Sequence, residues 1–415
     1  MLNLVNKDLH SFQSSLDEIA RQGALKVLCH ALSLEVDEYI AEHAQERDEN
    51  GHRLVVRNGR SKPRTVSLGA GTIEIEAPRV NDKRPGEKFT SSILPPYLRR
   101  SPNIESLIPV LYLRGLSTND FQEALVSILG EGAKGLSPSV IVSLKRSWES
   151  EFEQWMRQPI TEPIVYLWAD GVNVKVRLGE DKRLCLLVVI GATESGQKRL
   201  LAVSPGYRES TDSWKIVLRS LIDRGMTSPL LAIADGALGF WAALEELEAF
   251  KTTKPARCWV HKIANVLNDL PKRLQAQAKG LLHEMMYSST KSDAEIVRKQ
   301  FADGFSAKFP KAVEKVQTDW KELTAFFDFP AEHWHHLRTT NPIESAFATV
   351  KLRTKITKGA GSTATASAMA FKLLQQAEKR WRKIKSVEKI RDLLNGVEYR
   401  DGIVLDTSSH RGGVA

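Results

Sequence analysis

The sequence lacks three features that would place it in a specialised class of protein. It has no run of about 18 apolar residues, so no membrane-spanning helix is expected. Its first residues, MLNLVNKD, contain no basic segment followed by an apolar core, and we therefore expect no secretion signal. The three cysteines, Cys29, Cys185 and Cys258, are too few and too widely spaced for a disulfide framework. These absences favour a protein of the reducing cytoplasm.

The composition predicts a globular protein with several modules and an affinity for polyanions. A length of 415 residues is long for one domain, and a hydrophobic content of 42% is sufficient for a real core. The net charge of +9 is uneven, since residues 51–100 carry eleven Lys/Arg against four Asp/Glu and residues 350–391 carry twelve against two. Two basic segments on an otherwise acidic chain indicate nucleic-acid contact surfaces. Lysine-rich helix faces exposed to solvent are the alternative.

Sequence patterns divide the N-terminal part of the chain into three segments. Residues 1–50 have apolar positions at helical spacing and predict a helical region. Residues 51–102 predict a small basic β segment and a linker, with a turn at Asn58-Gly59. Residues 103–160 predict short helices joined by glycine-bearing turns, a pattern typical of a helix-turn-helix-like DNA-binding region. The candidate DNA-contacting side chains of these segments are Arg57, Arg60, Lys145 and Arg146.

From residue 161 to residue 250 the patterns become rich in strands. Residues 165–177, 184–191 and 199–204 are separated by short turns and predict an antiparallel meander. A capped amphipathic helix follows and leads to another buried strand at 230–234. A helix that crosses between strands implies that the fourth strand is parallel to a neighbour. The predicted fold class is therefore α/β, with a mixed sheet.

The remainder of the chain is predicted to be mainly helical. Residues 251–335 predict an all-helical insertion domain that interrupts the sheet domain, and residues 336–395 return to it. The second of these segments contains a helix that starts near Asn341-Pro342. Residues 396–415 have little apolar content and are predicted to be disordered. Basic side chains near the late helix are candidate phosphate contacts, namely Arg338, Lys351, Arg353 and Lys355.

Three acids stand at positions that suggest chemistry. Asp170 lies on the first strand, Asp235 ends the fourth strand and Glu344 is in the first turn of the late helix. If the first and fourth strands are neighbours, we expect the three carboxylates to converge within metal-bridging distance. They would then form an oxygen-rich pocket for two Mg²⁺ ions, which suits phosphoryl transfer.

Each acid also has a purely structural explanation. Asp170 and Asp235 both precede a glycine, as turn residues commonly do. Glu344 could complete a capping box with Asn341. The residues alone leave these alternatives open.

The segments around the three acids resemble those of a known family. They are Trp168-Ala169-Asp170-Gly171, Ile233-Ala234-Asp235-Gly236, Cys258-Trp259-Val260-His261 and Thr340-Asn341-Pro342-Ile343-Glu344-Ser345. In this order they are similar to bacterial insertion-sequence transposases of the Mutator-like class, over roughly residues 20–395. The resemblance implies an RNase H-like catalytic domain with an Asp-Asp-Glu triad. It further implies that Asp170, Asp235 and Glu344 are the catalytic metal ligands, and that residues 251–335 are the family's insertion domain.

The resemblance also implies an activity. It predicts a DNA transposase that binds the terminal inverted repeats of its insertion sequence and catalyses metal-dependent cleavage and 3′-OH strand transfer. Two Mg²⁺ or Mn²⁺ ions and no small-molecule cofactor are expected, together with a homodimer on DNA and a cytoplasmic, nucleoid-associated location. The alternatives are an RNase H-like nuclease or resolvase that only cuts, and a DNA-binding regulator without catalysis.

The role of the Cys258 and His261 pair is open at this point. A Cys-x-x-His pair can be half of a zinc site, although no closed set of four ligands follows from the spacing. The remaining ligands would come from three later histidines, His333, His335 and His336. The pair and Trp259 are instead expected to pack the insertion domain near the active site and to contact DNA ends. A plain helical core segment is the alternative.

Overall fold

The computed structural model describes residues 2–114, 116, 123–124, 138–177, 183–206, 209–236, 238–356 and 359–405. The chain divides into two compact units, Met1–Leu144 and Lys145–Ala415. Each unit has its own cluster of buried apolar side chains. Within the described ranges, no helix combines the length and apolar character needed to cross a membrane.

The described residues form fourteen α-helices and eleven strands, in addition to short 3₁₀ turns. The helices are α1 (Leu2–Glu42), α2 (Pro102–Arg114), α3 (Pro138–Met156), α4 (Thr211–Asp223), α5 (Leu238–Glu246), α6 (Trp259–Leu267), α7 (Lys272–Tyr287), α8 (Lys291–Phe305), α9 (Pro310–Thr318), α10 (Trp320–Leu323), α11 (Trp334–Leu337), α12 (Asn341–Ile356), α13 (Thr363–Glu378) and α14 (Val387–Leu394). The strands are β1 (Val55–Arg60), β2 (Arg64–Leu68), β3 (Gly71–Ile75), β4 (Pro78–Asp82), β5 (Ile164–Lys175), β6 (Arg183–Thr193), β7 (Lys198–Gly206), β8 (Leu231–Ala234), β9 (Lys254–Arg257), β10 (Tyr399–Arg400) and β11 (Ile403–Val404).

The first unit is built from the long helix α1 and two antiparallel strand pairs, β1 with β4 and β2 with β3. Alternation along β3 places Ile73 and Ile75 on one face, where they pack with Leu32 of α1. The helix-turn-helix prediction for residues 103–160 falls partly on 115, 117–122 and 125–137, which lie outside the described residues. The described part contains α2 and α3.

The Asn58-Gly59 pair does not turn the chain, so the predicted turn is wrong. Both residues lie within β1, where the register with β4 shifts between Arg57 and Arg60. Gly59 takes a φ of 63°, which glycine adopts at little cost. The pair therefore marks a β-bulge, in which an extra residue is accommodated opposite a neighbouring strand.

Asp82 is the centre of a buried polar network in the first unit. Its side chain is only 2% exposed and accepts hydrogen bonds from Arg84 Nη2 at 2.8 Å and from Tyr39 Oη at 2.7 Å. The Arg84 hydrogen bonds hold the pKa of Asp82 well below its ordinary value. Because this folded-state pKa is lowered, Asp82 stabilises the unit above its unfolded-state pKa. This contribution is lost as the pH falls through the folded value.

Asp82→Asn is therefore expected to destabilise the first unit at neutral pH and to weaken its acid sensitivity. Hydrogen–deuterium exchange of the β4 amides in the full chain, measured between about pH 7 and pH 3, tests this. The difference in protection between wild type and variant should shrink as the pH falls. The exposed Glu87→Gln is the control. Equal protection of wild type and Asp82→Asn at pH 7 would contradict the proposed role of the network.

The second unit contains a five-stranded mixed sheet of order β7-β6-β5-β8-β9. β5, β6 and β7 are antiparallel neighbours, while β8 is parallel to β5 and β9 is parallel to β8. The prediction of a mixed α/β sheet with three antiparallel strands, a helix and a parallel strand is confirmed. The crossover helix α4 returns the chain to the side of β5, as expected for such a connection.

The edge strand β9 was not predicted. The expectation of an all-helical segment over 251–335 is wrong at its start, because residues 254–257 pair with β8 and the helices begin at Trp259. This strand is four residues long and only Ala256 is buried, so it has no apolar run or alternation to reveal it. Pro255 has no backbone N–H. It is tolerated here because an edge strand needs hydrogen bonds to a neighbouring strand on one side only.

Both faces of the sheet are covered. On one face, Leu167 and Ala232 belong to a core cluster with Trp214 and Leu218 of α4 and Phe240 of α5. On the opposite face, the Tyr166 hydroxyl bonds His333 Nδ1 at 2.7 Å, and Trp168 Nε1 donates to the His336 carbonyl at 3.1 Å. Burial on both faces explains the nearly continuous apolar runs of β5 and β6.

The prediction of a disordered tail over residues 396–415 is wrong for its described part, residues 396–405, which contain a strand pair. β10 and β11 form a hairpin through Asp401 and Gly402, which have φ values of 50° and 79°. Positive φ at both positions is typical of a two-residue hairpin turn. Gly402 lies against Trp334, where an added Cβ would meet the ring at 2.9 Å. Residues 406–415 lie outside the described residues.

Candidate active site

Asp170 and Asp235 lie at the same level of two neighbouring strands. β5 and β8 are parallel and pair Ala169 with Ala234, so the next residue on each strand is an aspartate. β8 ends at Ala234, whereas β5 continues through Asp170 to Lys175 and pairs with β6 on its other side. Asp170-Gly171 is therefore not a turn. Asp170 occupies the notch that opens in the sheet where β8 stops.

The late helix α12 brings the third acid to this region. It packs against β5, and Glu344 is in its first turn. The chain after α12 is also tied to the end of β5, because the Ala360 N–H donates to the Lys175 carbonyl at 3.0 Å and the Arg177 N–H donates to the Ala360 carbonyl at 2.8 Å.

Thr340 orients the Glu344 side chain. Asn341 is the first residue of α12 and therefore not its N-cap, which would precede the helix. The Thr340 hydroxyl donates to Glu344 Oε1 at 2.9 Å. A capping box would join the Asn341 side chain to the Glu344 N–H and the Glu344 side chain to the Asn341 N–H. Instead, the Asn341 N–H donates to Thr339 Oγ1 at 3.3 Å and the Glu344 N–H donates to the Thr340 carbonyl at 3.1 Å. The capping box that offered a structural explanation for Glu344 is thus not formed there.

His261 lies between the second and third acids. Its Nε2 is 3.9 Å from Asp235 Oδ2 and its Nδ1 is 3.6 Å from Glu344 Oε1. The side chains of His261, Asp235 and Glu344 are each about a third exposed, so the site is open to solvent. A hydrogen bond with Cys258 and the charges of Asp235 and Asp170 raise the pKa of His261 to about 9. The imidazolium therefore compensates the surrounding carboxylates at neutral pH.

Backbone hydrogen bonds fix the first turn of α6 beside the acids. The Cys258 N–H donates to the carbonyl of Ala234, directly before Asp235, at 3.0 Å. The next amide, that of Trp259, donates to the Arg338 carbonyl at 2.9 Å. The fully buried Trp259 ring donates from Nε1 to the Leu323 carbonyl at 2.8 Å and thereby anchors the helical insertion. Cys258 and Trp259 thus pack, while His261 faces the acids.

Cys258, His261 and Glu344 offer ligating atoms that all lie within 4.8 Å of one another, and this is the one such group found among the described residues. Asp170, Asp235 and Glu344 do not form such a group by themselves; Asp235 and Glu344 are instead linked through His261. The later histidines do not complete a zinc set with Cys258. His333 bonds Tyr166, and His336 Nδ1 lies 3.2 Å from Lys198 Nζ.

Asp170 is in an electrostatically crowded position. Burial, followed by the charges of Glu209 and Asp235, raises the pKa of Asp170 to about 7, against the opposing effect of His261 and of the Gly171 N–H. Such crowding is typical of functional carboxylates. It also fits the demand of a hard divalent cation for several carboxylate oxygens.

Glu209 is a further acid of this region that the sequence interpretation did not identify. It lies directly before Ser210, the N-cap of α4, and only the cap was recognised in the sequence. Burial, and then the charge of Asp235, raise the pKa of Glu209. The available signal was an acid between a strand and a capped helix, which is too common to single out one residue.

Two of the predicted DNA-contacting residues are buried, and the prediction needs correction for both. Arg338 is 8% exposed, and its guanidinium lies 4.7 Å from the ring centre of Phe326 and 5.1 Å from that of Trp334. Arg353 is 1% exposed. Both arginines are therefore packing residues of the second unit rather than surface cations.

The other predicted DNA contacts are more accessible. Lys351 and Lys355 are exposed on α12 beyond Glu344, and Arg60 and Arg146 are also exposed. Arg57 is half-exposed but pairs with Asp37 at 2.5 Å, and Lys145 is half-buried. Exposed α12 lysines near the acids are thus the best placed of the set for phosphate.

Comparison of the sequence with known proteins places the chain in a family. The family model described as "Transposase, Mutator family" matches residues 1–384. The chain is 47% identical over 304 residues to the transposase for insertion sequence element IS6120 of Mycolicibacterium smegmatis, covering 73% of this chain and 93% of that protein. It is 50% identical over 283 residues to the transposase for IST2 of Acidithiobacillus ferrooxidans, covering 68% and 95%. The chain belongs to the Mutator family of transposases.

Proposed function

We propose that this chain is a DNA transposase that cuts DNA at the terminal inverted repeats of its own insertion sequence and joins the 3′-OH ends to target DNA. The observation that carries the proposal is the equal level of Asp170 and Asp235 on neighbouring parallel strands, with Glu344 linked to Asp235 through His261. The two relatives quoted above are named as transposases for insertion sequence elements.

We further propose that the second unit is an RNase H-like catalytic domain interrupted by a helical insertion. In support, the sheet has three antiparallel strands followed by parallel strands on the side of the first. The helices α6 to α11 come between β9 and α12, the helix that carries Glu344. The insertion thereby separates the third acid from the first two in sequence, but not in space.

Asp170, Asp235 and Glu344 are proposed as the residues that hold Mg²⁺ or Mn²⁺, with two ions expected. Their carboxylate oxygens are the donors that these hard cations prefer. When bound, such cations stabilise the negative charge that develops on the reacting phosphate oxygens. No small-molecule cofactor is required for this chemistry.

The surrounding residues keep the acids in place. The Asp235 carbonyl accepts hydrogen bonds from Arg257 Nη1 and Trp241 Nε1, both at 3.0 Å. Arg257 is in turn paired with Asp319 at 2.8 Å. Thr340 orients Glu344, and His261 limits repulsion between Asp235 and Glu344. These contacts pre-position the carboxylates, which is how a protein contributes to electrostatic catalysis.

Exposed basic residues provide a path for the DNA backbone in the second unit. Lys351 and Lys355 lie in the second half of α12, which begins with the turn that carries Glu344. A second exposed basic group follows α13 and consists of Lys379, Arg380, Arg382, Lys383 and Lys385. Phosphate contacts of this kind give affinity without sequence choice. We assign recognition of the terminal repeats to the N-terminal part of the chain, and we propose a homodimer on DNA because two ends must be cut in concert.

A strand-transfer assay separates the proposal from its alternatives. The full chain is incubated with duplex oligonucleotides that carry the element's terminal repeat, with Mg²⁺ and with a plasmid target. Joined products that disappear in Asp235→Ala are the expected result. DNA that is cut but never joined would instead indicate a nuclease or resolvase. Binding without cleavage, unchanged by Asp235→Ala, would indicate a regulator and overturn the proposal.

A further inference from the structure

The Glu209 side chain occupies the space above Gly171, the residue that follows Asp170. A Cβ added at Gly171 would lie 2.8 Å from Glu209 Cδ and 2.9 Å from Cγ, closer than the 3.0 Å that real Cβ atoms keep. Glycine at 171 is therefore what lets the Glu209 carboxyl group approach β5 so closely. The approach is made at the notch where β8 has ended.

The backbone around Glu209 is fixed by a second close approach. A Cβ at Gly239, in the first turn of α5, would lie 2.8 Å from both Ser210 C and Thr211 N. Ser210 is also held as the N-cap of α4, where its Oγ accepts from the Ser213 N–H at 3.3 Å. The turn that carries Glu209 is thus set against the segments that follow Asp170 and Asp235.

The charges around Glu209 are unfavourable for a purely structural acid. The charged side chains that act on it are Asp170, Asp235 and His261, which also acts on the other acids. Among the residues the structure describes, no cation forms an ion pair with it, and it accepts no recorded side-chain hydrogen bond. Half-burying a carboxylate beside other carboxylates costs free energy unless a positive charge compensates them. Among the described residues, the imidazolium of His261 is shared by several of these acids.

We propose that Glu209 is a fourth carboxylate of the cation site, supplied by the turn before α4 and held next to Asp170 by the bare surface of Gly171. This proposal rests on the proposed function, since it assumes that Asp170 and Asp235 bind Mg²⁺ or Mn²⁺. It adds a residue that lies outside the three predicted acids. Glu209 then repels the neighbouring carboxylates only while no cation is bound. When the cation is bound, Glu209 contributes an oxygen ligand, directly or through water.

Cation binding by the full chain tests the proposal without reliance on activity. Mn²⁺ is titrated into metal-free wild type and Glu209→Gln and followed by isothermal calorimetry, and Tm is measured by tryptophan fluorescence. Glu209→Gln is expected to weaken Mn²⁺ binding by about tenfold or more. It should also raise the Tm of the metal-free protein, because a repulsive charge is removed, and reduce the further rise in Tm that Mn²⁺ produces. Asp212→Asn, an exposed acid three residues along, is the matched control and should leave Mn²⁺ affinity and the Mn²⁺-induced rise in Tm unchanged.

A second variant moves Glu209 without changing any charge. Gly171→Ala places a methyl group where the Glu209 carboxyl lies, so it should weaken Mn²⁺ binding as well. In the double variant the loss of Mn²⁺ affinity should be no larger than in Glu209→Gln alone, because both substitutions remove the same contact. Fully additive losses would mean that Gly171 acts independently of Glu209 and would overturn the stated arrangement.

The outcomes distinguish this proposal from the function on which it rests. If Asp235→Asn abolishes Mn²⁺ binding while Glu209→Gln binds as tightly as wild type, Glu209 is not part of the site and this proposal alone fails. If neither substitution alters Mn²⁺ binding, the cation site itself is wrong. A lower Tm of metal-free Glu209→Gln, with unchanged Mn²⁺ affinity, would assign Glu209 to packing of the turn and would also overturn the proposal.

Discussion

Asp235→Asn is expected to lower DNA cleavage and joining by about 1,000-fold or more while leaving DNA binding within about twofold. The substitution keeps the size and the backbone contacts of the residue, including its carbonyl bonds to Arg257 and Trp241. It removes one negative charge from the pair of acids, Asp170 and Asp235, that follow the paired residues Ala169 and Ala234. Loss of cation binding, rather than loss of fold, is the expected cause.

Cleavage rates on intact repeat ends and joining rates on pre-cut ends, together with affinity from a mobility-shift titration, measure this effect. Asp223→Asn is a suitable control because Asp223 is exposed at the far end of α4. Glu344→Gln should behave like Asp235→Asn, since the amide oxygen can still accept the Thr340 hydroxyl. Near-wild-type rates in Asp235→Asn would exclude it as a catalytic acid. A collapse of folding in Glu344→Gln would show that the residue mainly supports the start of α12.

Arg338→Ala is expected to lower the free energy of unfolding of the second unit by about 3 kcal/mol. The Arg338 guanidinium stacks between Phe326, Trp334 and Tyr287, at 4.7, 5.1 and 5.2 Å from their ring centres. Burial among these rings lowers the pKa of Arg338 to about 10, so it remains protonated at neutral pH. Alanine removes both the packing of the long side chain and the cation–π contacts.

Denaturant unfolding followed by tryptophan fluorescence reports on this unit alone, because all nine tryptophans lie between Trp148 and Trp381. Arg338→Met retains much of the volume and should lose only about 1 kcal/mol. The surface substitution Lys351→Ala should show the opposite profile, with unchanged stability and weaker, less salt-dependent DNA binding. A stable Arg338→Ala with strongly reduced DNA affinity would restore Arg338 as a phosphate contact.

Much of the framework could be predicted from the sequence because it depends on local patterns. Alternation, apolar runs and capping residues placed β5 to β8 and the crossover helix α4. Topology rules allowed β5 and β8 to be neighbours, and the structure shows that they are. The level of Asp170 relative to Asp235 follows from that arrangement. The short strand β9 and the β10–β11 hairpin have almost no apolar pattern, and both were missed for this reason.

The mixed sheet, the three candidate acids and the family resemblance could all be inferred from the amino-acid sequence. Three features became visible in the folded chain alone: His261 faces Asp235 and Glu344, Glu209 lies against Gly171, and Arg338 and Arg353 are buried. Hydrophobic periodicity indicates which face of an element is covered, but it does not indicate which distant side chain covers that face. A basic residue near an acid in sequence has the same local signature whether it meets DNA or a cage of aromatic rings. Contacts across 83 residues, as from His261 to Glu344, exist only once the insertion has folded back onto the sheet.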